Sequence, residues 1–241
     1  MKNYVISAVR PLQNGSLHEK DENLHQRYYE MYRRSLASCK KFVIEDFEPI
    51  LFTEPARDID VFCEMNWYAI KKLWTNESCN IFWLGADTLI IKPTSLFSDR
   101  FKEFRMFNYT DPKQTSKFDH YLNDDSRYYP ATMSEDIWQI GQNLWKYRDD
   151  DPEKLWGFDQ NRHNTMFWSQ DIPFSDVFHP NLNFMCGPLR SLDEAEIIRH
   201  LETWNNCKFQ DVNILHLQGT WGSSQRITLM DEFCKNLGIS V

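Results

Sequence analysis

The sequence predicts an α/β fold, a sheet flanked by helices in one domain, on three observations. Apolar runs of strand length alternate with amphipathic helical patterns from Tyr4 to Ile91, the signature of strand–helix–strand units around a mostly parallel sheet. One run, Asn80-Ile81-Phe82-Trp83-Leu84, stops at Gly85-Ala86-Asp87-Thr88, and a second, Leu89-Ile90-Ile91, starts at once. A buried strand thereby delivers a carboxylate to its carboxyl end, where open α/β sheets bind ligands. No internal repeat and no Pro/Gly/Ser linker divides the 241 residues, a length that suits one large domain, 1–241, with a sizeable core.

Tyr4 to Val9 is the first strand, closed by Arg10-Pro11 and the polar loop Gln13-Asn14-Gly15-Ser16. Leu24, Tyr28, Met31, Tyr32 and Leu36 recur at helical spacing. Phe42 to Ile44 and Ile50 to Phe52 read as short strands around a Glu48-Pro49 break, and a helix from Val61 to Trp74 follows. Ile81 to Leu84 and Leu89 to Ile91 are the strands on either side of the Asp87 turn, and Phe104 to Phe107 is another. Residues 109 to 129, polar and Asp-rich, read as a mobile loop. Ser134 to Lys146 has helical periodicity, with Ile137, Ile140, Leu144 and Trp145 inward. Asp149-Asp150-Asp151-Pro152 reads as a helix start, since it lacks the spaced ligands and glycine of a calcium loop. Ser191 and Glu194 form a capping box before a helix to Trp204. Asn213 to Leu217 is the last strand, and Ile227, Met230, Phe233, Cys234 and Leu237 stripe a helix ended by Gly238.

Composition narrows the function. With 41% hydrophobic, 26% charged and 15% aromatic residues, the chain is a folded one. A formal charge of −8 and the lack of a basic stripe disfavour nucleic acid as a partner. Cysteines 39, 63, 79, 186, 207 and 234 make no C-x-x-C pair and read as reduced thiols in a reducing compartment. The apolar run at the N-terminus is too short for a signal peptide, and none has transmembrane length. The expectation is a soluble cytoplasmic protein.

Asp87 is a candidate ligand for a hard cation carrying phosphate oxygens; the alternative is a tight turn whose Asp bonds its own backbone. Three further segments carry chemistry-bearing residues: Tyr128-Tyr129-Pro130-Ala131-Thr132-Met133, then Trp156-Gly157-Phe158-Asp159-Gln160-Asn161, then Ile214-Leu215-His216-Leu217-Gln218-Gly219-Thr220-Trp221-Gly222. Over roughly residues 4 to 222 their type and order resemble GT-A-fold glycosyltransferases, especially small members related to the family 8 enzymes. There a strand ends in D-x-D, a small-residue element follows, then an Asp-Gln motif and a late His-x-x-Gly. Gly85-Ala86-Asp87-Thr88, Pro130-Ala131-Thr132-Met133, Asp159-Gln160 and His216-Leu217-Gln218-Gly219 occupy those places.

The resemblance implies a Rossmann-type, nucleotide-sugar-binding mixed sheet. It implies transfer of a sugar from a UDP- or GDP-linked donor to a hydroxyl of a glycan acceptor, assisted by Mn2+ or Mg2+. Asp87 and His216 would be the metal ligands, with oxygen and nitrogen suiting such a cation. Ala8, Val9, Arg10, Ala86, Asp87, Thr88, Gln160 and Gly219 would contact the donor, and Trp156, Asn183 and Trp221 the acceptor side. Asp159 would be the base that takes the acceptor proton, or a ligand of the donor sugar. The plain alternatives are a helix cap for Asp159, a core position for His216 and a turn asparagine for Asn183. Three departures stand out: Gly85 replaces the first Asp of D-x-D, Pro130-Ala131-Thr132 contains no glycine, and Gly222 replaces the family 8 lysine. The loss at position 85 motivates a rival reading, a catalytically silent nucleotide-sugar or glycan-binding module. A nucleotidyltransferase is a weaker rival, because Gln13 to Ser16 lacks the basic, Gly-rich loop it would need.

Overall fold

A computed structural model describes residues 1–13, 23–97, 105–108, 122–135, 139, 182, 184–186, 194–205, 207–217 and 223–241. Its larger sheet contains β1 (Lys2–Ala8), β2 (Glu48–Phe52), β3 (Cys79–Leu84), β5 (Arg105–Asn108) and β6 (Leu122–Tyr129), in the order β2-β1-β3-β6-β5. The smaller has β4 (Thr88–Ile90), β7 (Phe184–Cys186) and β8 (Ile214–Leu217), in the order β4-β8-β7. Strands β1, β2 and β3 are mutually parallel, and β6 and β5 continue the sheet antiparallel. The helices are α1 (Leu24–Phe42), α2 (Ile59–Asn76), α3 (Glu194–Asn205) and α4 (Ser223–Asn236).

Strand β1 is apolar on both faces because both are covered. Tyr4 and Ile6 pack with Trp67 and Ile70 of α2, together with Trp83 and Tyr129. Val5 faces the other way, into a cluster with Phe82, Leu84, Ile90 and Ile214 that joins the two sheets. A third cluster, of Met31, Leu89, Leu217, Met230 and Cys234, binds α1 and α4 to the smaller sheet. Local chemistry sets the helix ends. Asp58 Oδ1 accepts from the Val61 amide at 3.0 Å at the start of α2. After α4, Gly238 takes φ +62° and the Ile239 amide bonds back to the Cys234 carbonyl at 2.8 Å.

The sheet is mixed, as the resemblance implies, and its first three strands are parallel, as the alternation over the first ninety residues predicts. Three other sequence expectations need correction. Phe42 to Ile44 is no strand: α1 runs through Phe42, and Val43 makes only an isolated bridge to Thr94. Glu48-Pro49 opens β2 instead of breaking it, with Pro49 opposite Val5. Leu122–Tyr129, read as part of a loop, is β6, with Ser126 opposite Leu84 and Arg127 opposite Trp83. Most of the Ser134–Lys146 stretch, the Asp149–Pro152 segment and Ser191 lie outside the described residues.

Candidate active site

Parallel pairing of β1 with β3 puts Ala8, Val9 and Arg10 on the same sheet edge as the Gly85–Thr88 turn. The Ser7 hydroxyl ties the two strand ends together by donating to the Leu84 carbonyl at 2.7 Å. The turn itself closes through Thr88, whose amide and hydroxyl both donate to the Gly85 carbonyl, at 3.2 and 2.7 Å. Ser35 of α1 sits 3.4 Å from that hydroxyl, and Ser38 accepts from the Ile90 amide at 3.0 Å. Thr88 is fully buried, so this hydroxyl shapes the turn that presents Asp87.

Antiparallel pairing of β4 with β8 sets Thr88 directly opposite His216, and the Leu217 amide donates to the Asp87 carbonyl at 2.9 Å. The two predicted metal ligands therefore converge from strands far apart in sequence. His216 Nε2 lies 3.7 Å from Asp87 Oδ1. That gap is too long for a hydrogen bond but within the span of two donor atoms sharing one small cation. Both side chains are buried, with Asp87 keeping 10% of its side chain exposed.

Sequence reasoning missed the partner of the other carboxylate oxygen. Arg226, on α4, is fully buried, and its Nη1 is 2.7 Å from Asp87 Oδ2. The Tyr28 hydroxyl is 3.3 Å from both Nη1 and Nη2, and the guanidinium lies 5.0 Å from the Tyr28 ring centre, in cation–π range. A signal was present: Arg226 stands four residues before Met230, on the apolar stripe of its helix.

Arg10 is 6% exposed and engaged within the protein. Its Nε donates to Asn66 Oδ1 at 2.9 Å, and its Nη1 reaches the Glu54 carbonyl at 3.0 Å and the Glu54 carboxylate at 2.5 Å. The Glu54 carboxyl is held below the usual range, first by its own backbone amide and then by Arg10. This clamp joins the ends of β1 and β2 to α2, while the Val9 carbonyl lies 3.2 Å from His25 Nε2. Ala86 is buried in the turn. Trp156, Asp159, Gln160, Asn183, Gly219 and Trp221 lie outside the described residues.

The donor set fits a cation, narrowly. One carboxylate oxygen and one imidazole nitrogen face each other; among the described residues no third His, Cys, Asp or Glu joins them. These two atoms alone do not fill the coordination shell of such a cation, and bound substrate and water are oxygen donors that could add to it.

No family model and no curated protein matches the sequence. Solved structures do match in shape, and they define the fold. Superposed on a glycosyltransferase involved in glycosylating the major capsid of PBCV-1, the chain gives a TM-score of 0.55 at 13% identity, covering 96% of this chain and 100% of the other. The apo bifunctional glycosyltransferase WbbM gives 0.58 at 10% identity, with 98% of this chain spanning 49% of WbbM. An active-site mutant of LgtC gives 0.52 at 13% identity, with 95% of each chain covered. The chain has the GT-A glycosyltransferase fold.

Proposed function

We propose that this protein transfers a glycosyl group from a nucleoside-diphosphate sugar, UDP- or GDP-linked, to a hydroxyl of a glycan acceptor. The observation that carries the reading is the convergence of Asp87 and His216 at the carboxyl edge of the sheet, where such a fold binds its ligand. Support by analogy comes from LgtC, a galactosyltransferase solved with donor and acceptor sugar analogues.

Glycosyl transfer breaks the bond between the sugar's anomeric carbon and the diphosphate, so negative charge grows on the leaving group. A divalent cation, Mn2+ or Mg2+, would neutralise that charge. Asp87 Oδ1 and His216 Nε2 are the atoms that would hold it. Thr88 and Ala86 fix the turn that aims Asp87, while Ala8, Val9 and the Arg10 clamp shape the edge beside the nucleotide. From their sequence motifs, Gln160 and Gly219 are assigned to the donor, and Trp156, Asn183 and Trp221 to the acceptor. Asp159 takes the acceptor proton if configuration inverts; if it is retained, Asp159 binds the donor sugar's hydroxyls.

No helix among the described residues is long and apolar enough to cross a membrane, and all six cysteines are in the thiol form. Both facts suit a cytoplasmic location.

The test is a thermal-shift screen of nucleotide sugars, with Mn2+ and with chelator, followed by transfer assays on the donor found. Asp159→Asn is expected to bind that donor normally and to lose at least about 100-fold in turnover, the lower end for acid–base catalysis. Unchanged turnover removes Asp159 from the mechanism. Donor binding by the wild type with no transfer to any glycan would instead support the silent module that Gly85 suggests.

A further inference from the structure

Gly85 stands where a second carboxylate would give a dication two anionic ligands side by side. The carboxylate that remains already has a counter-charge, since Arg226 Nη1 is 2.7 Å from Asp87 Oδ2 and the guanidinium is wholly buried. Tyr28 braces that guanidinium with its hydroxyl and its ring. Asp87 contributes one negative charge and Arg226 one positive, and an imidazole that ligates metal is neutral. Together these three described side chains therefore present no net charge to attract a dication, and Arg226 repels one. Oδ1 nonetheless remains turned to His216 Nε2 at 3.7 Å.

We propose that Arg226 is a positioning residue that makes the cation site conditional on substrate. It locks Asp87 Oδ2, leaves Oδ1 and His216 Nε2 as the ligand pair, and cancels the charge of Asp87. A divalent cation is then retained only when a nucleoside diphosphate supplies the anionic oxygens that Gly85 does not. The inference rests on the proposed function and adds the order of assembly, with the cation entering alongside the nucleotide. Linkage makes the coupling mutual: whatever factor the nucleotide adds to cation affinity, the cation adds to nucleotide affinity.

The experiment measures Mn2+ binding from loss of the free-ion paramagnetic resonance signal, alone and with UDP or GDP. Calorimetry follows nucleotide binding separately. The proteins are the wild type, Arg226→Met, Arg226→Lys and Gly85→Asp. The wild type is expected to bind Mn2+ at least about tenfold more weakly alone than with nucleotide, a coupling of ordinary size. Arg226→Met and Gly85→Asp are expected to raise nucleotide-free Mn2+ affinity about tenfold or more, and Arg226→Lys to stay near the wild type. A residue that merely supported the fold would lower cation binding on removal, so the direction of change separates the two roles. If Arg226→Met does not fold, Gly85→Asp carries the test. Gly85 does not hold the positive φ that Gly238 does. Mn2+ affinity that is equal with and without a bound nucleotide overturns the proposal and leaves the nucleotide-sugar reading in place. Failure of both nucleotides to bind under any condition overturns that reading too.

Discussion

Asp87 owes its orientation to groups that never face the ligand. The Gly85 carbonyl accepts from the Thr88 hydroxyl at 2.7 Å inside a fully buried turn. Thr88→Val keeps the shape and removes the donor, so the expected cost is about 1–2 kcal/mol. In a chain of this size that corresponds to a melting temperature lower by roughly 2–8 °C. Calorimetry checks the loss, and a transition unmoved within about 1 °C would show that the hydroxyl adds nothing to the turn. At this scale the sequence was half legible. Asp87 and His216 announce themselves because each ends an apolar run beside glycine or a loop. Tyr28 and Arg226 do not, since the meeting of α1 with α4 over Asp87 is a tertiary event. Nor did the letters show that Arg10 would be spent on Asn66 and Glu54.

Among the elements, hydrophobic period decided what could be read. Strands β1 and β3 and helices α1 and α2 carry apolar residues on buried faces, and their positions followed from spacing alone. β6 escaped because Leu122-Asn123-Asp124-Asp125-Ser126-Arg127 has loop composition. It is a strand because β3 gives it a partner along Leu84 to Ile81, an instance of tertiary context overriding propensity. The end of α4 shows the reverse case, in which one residue was enough. Gly238 sits at φ +62° with its carbonyl, and that of Leu237, bonded to Lys41 Nζ at 2.7 Å. Gly238→Ala places a Cβ in the left-handed region, at an expected cost of about 1 kcal/mol. Urea unfolding checks it, and an unchanged midpoint would mean that the helix end relaxes without strain.

The whole molecule hides most of its thiols. Cys39, Cys63, Cys79 and Cys234 are buried, and burial pushes the Cys39 thiol up to about 12 and the Cys79 thiol to about 11. Thiolate, not thiol, attacks a disulfide reagent. Burial raises the Cys207 thiol as well, but its partial exposure leaves it open to reagent. Native protein at pH 8 is therefore expected to react faster at Cys207 than at these four, which answer only after denaturation. A colorimetric thiol titration, native and in guanidinium, measures this; four fast buried thiols would mean that the core opens readily.

Asp87 and Arg226 stand 139 positions apart, and among the described residues β4 finds its ladder only on β8. On a ribosome, β1, β2 and β3 emerge long before those partners. A chain halted before residue 214 contains β1, β2 and β3 but lacks the β8 partner of Thr88–Ile90, and lacks His216 and Arg226 beside Asp87. Translation thus delivers the parallel strands first and the partners of Asp87 last, so a prematurely terminated product lacks the Asp87–His216–Arg226 cluster altogether.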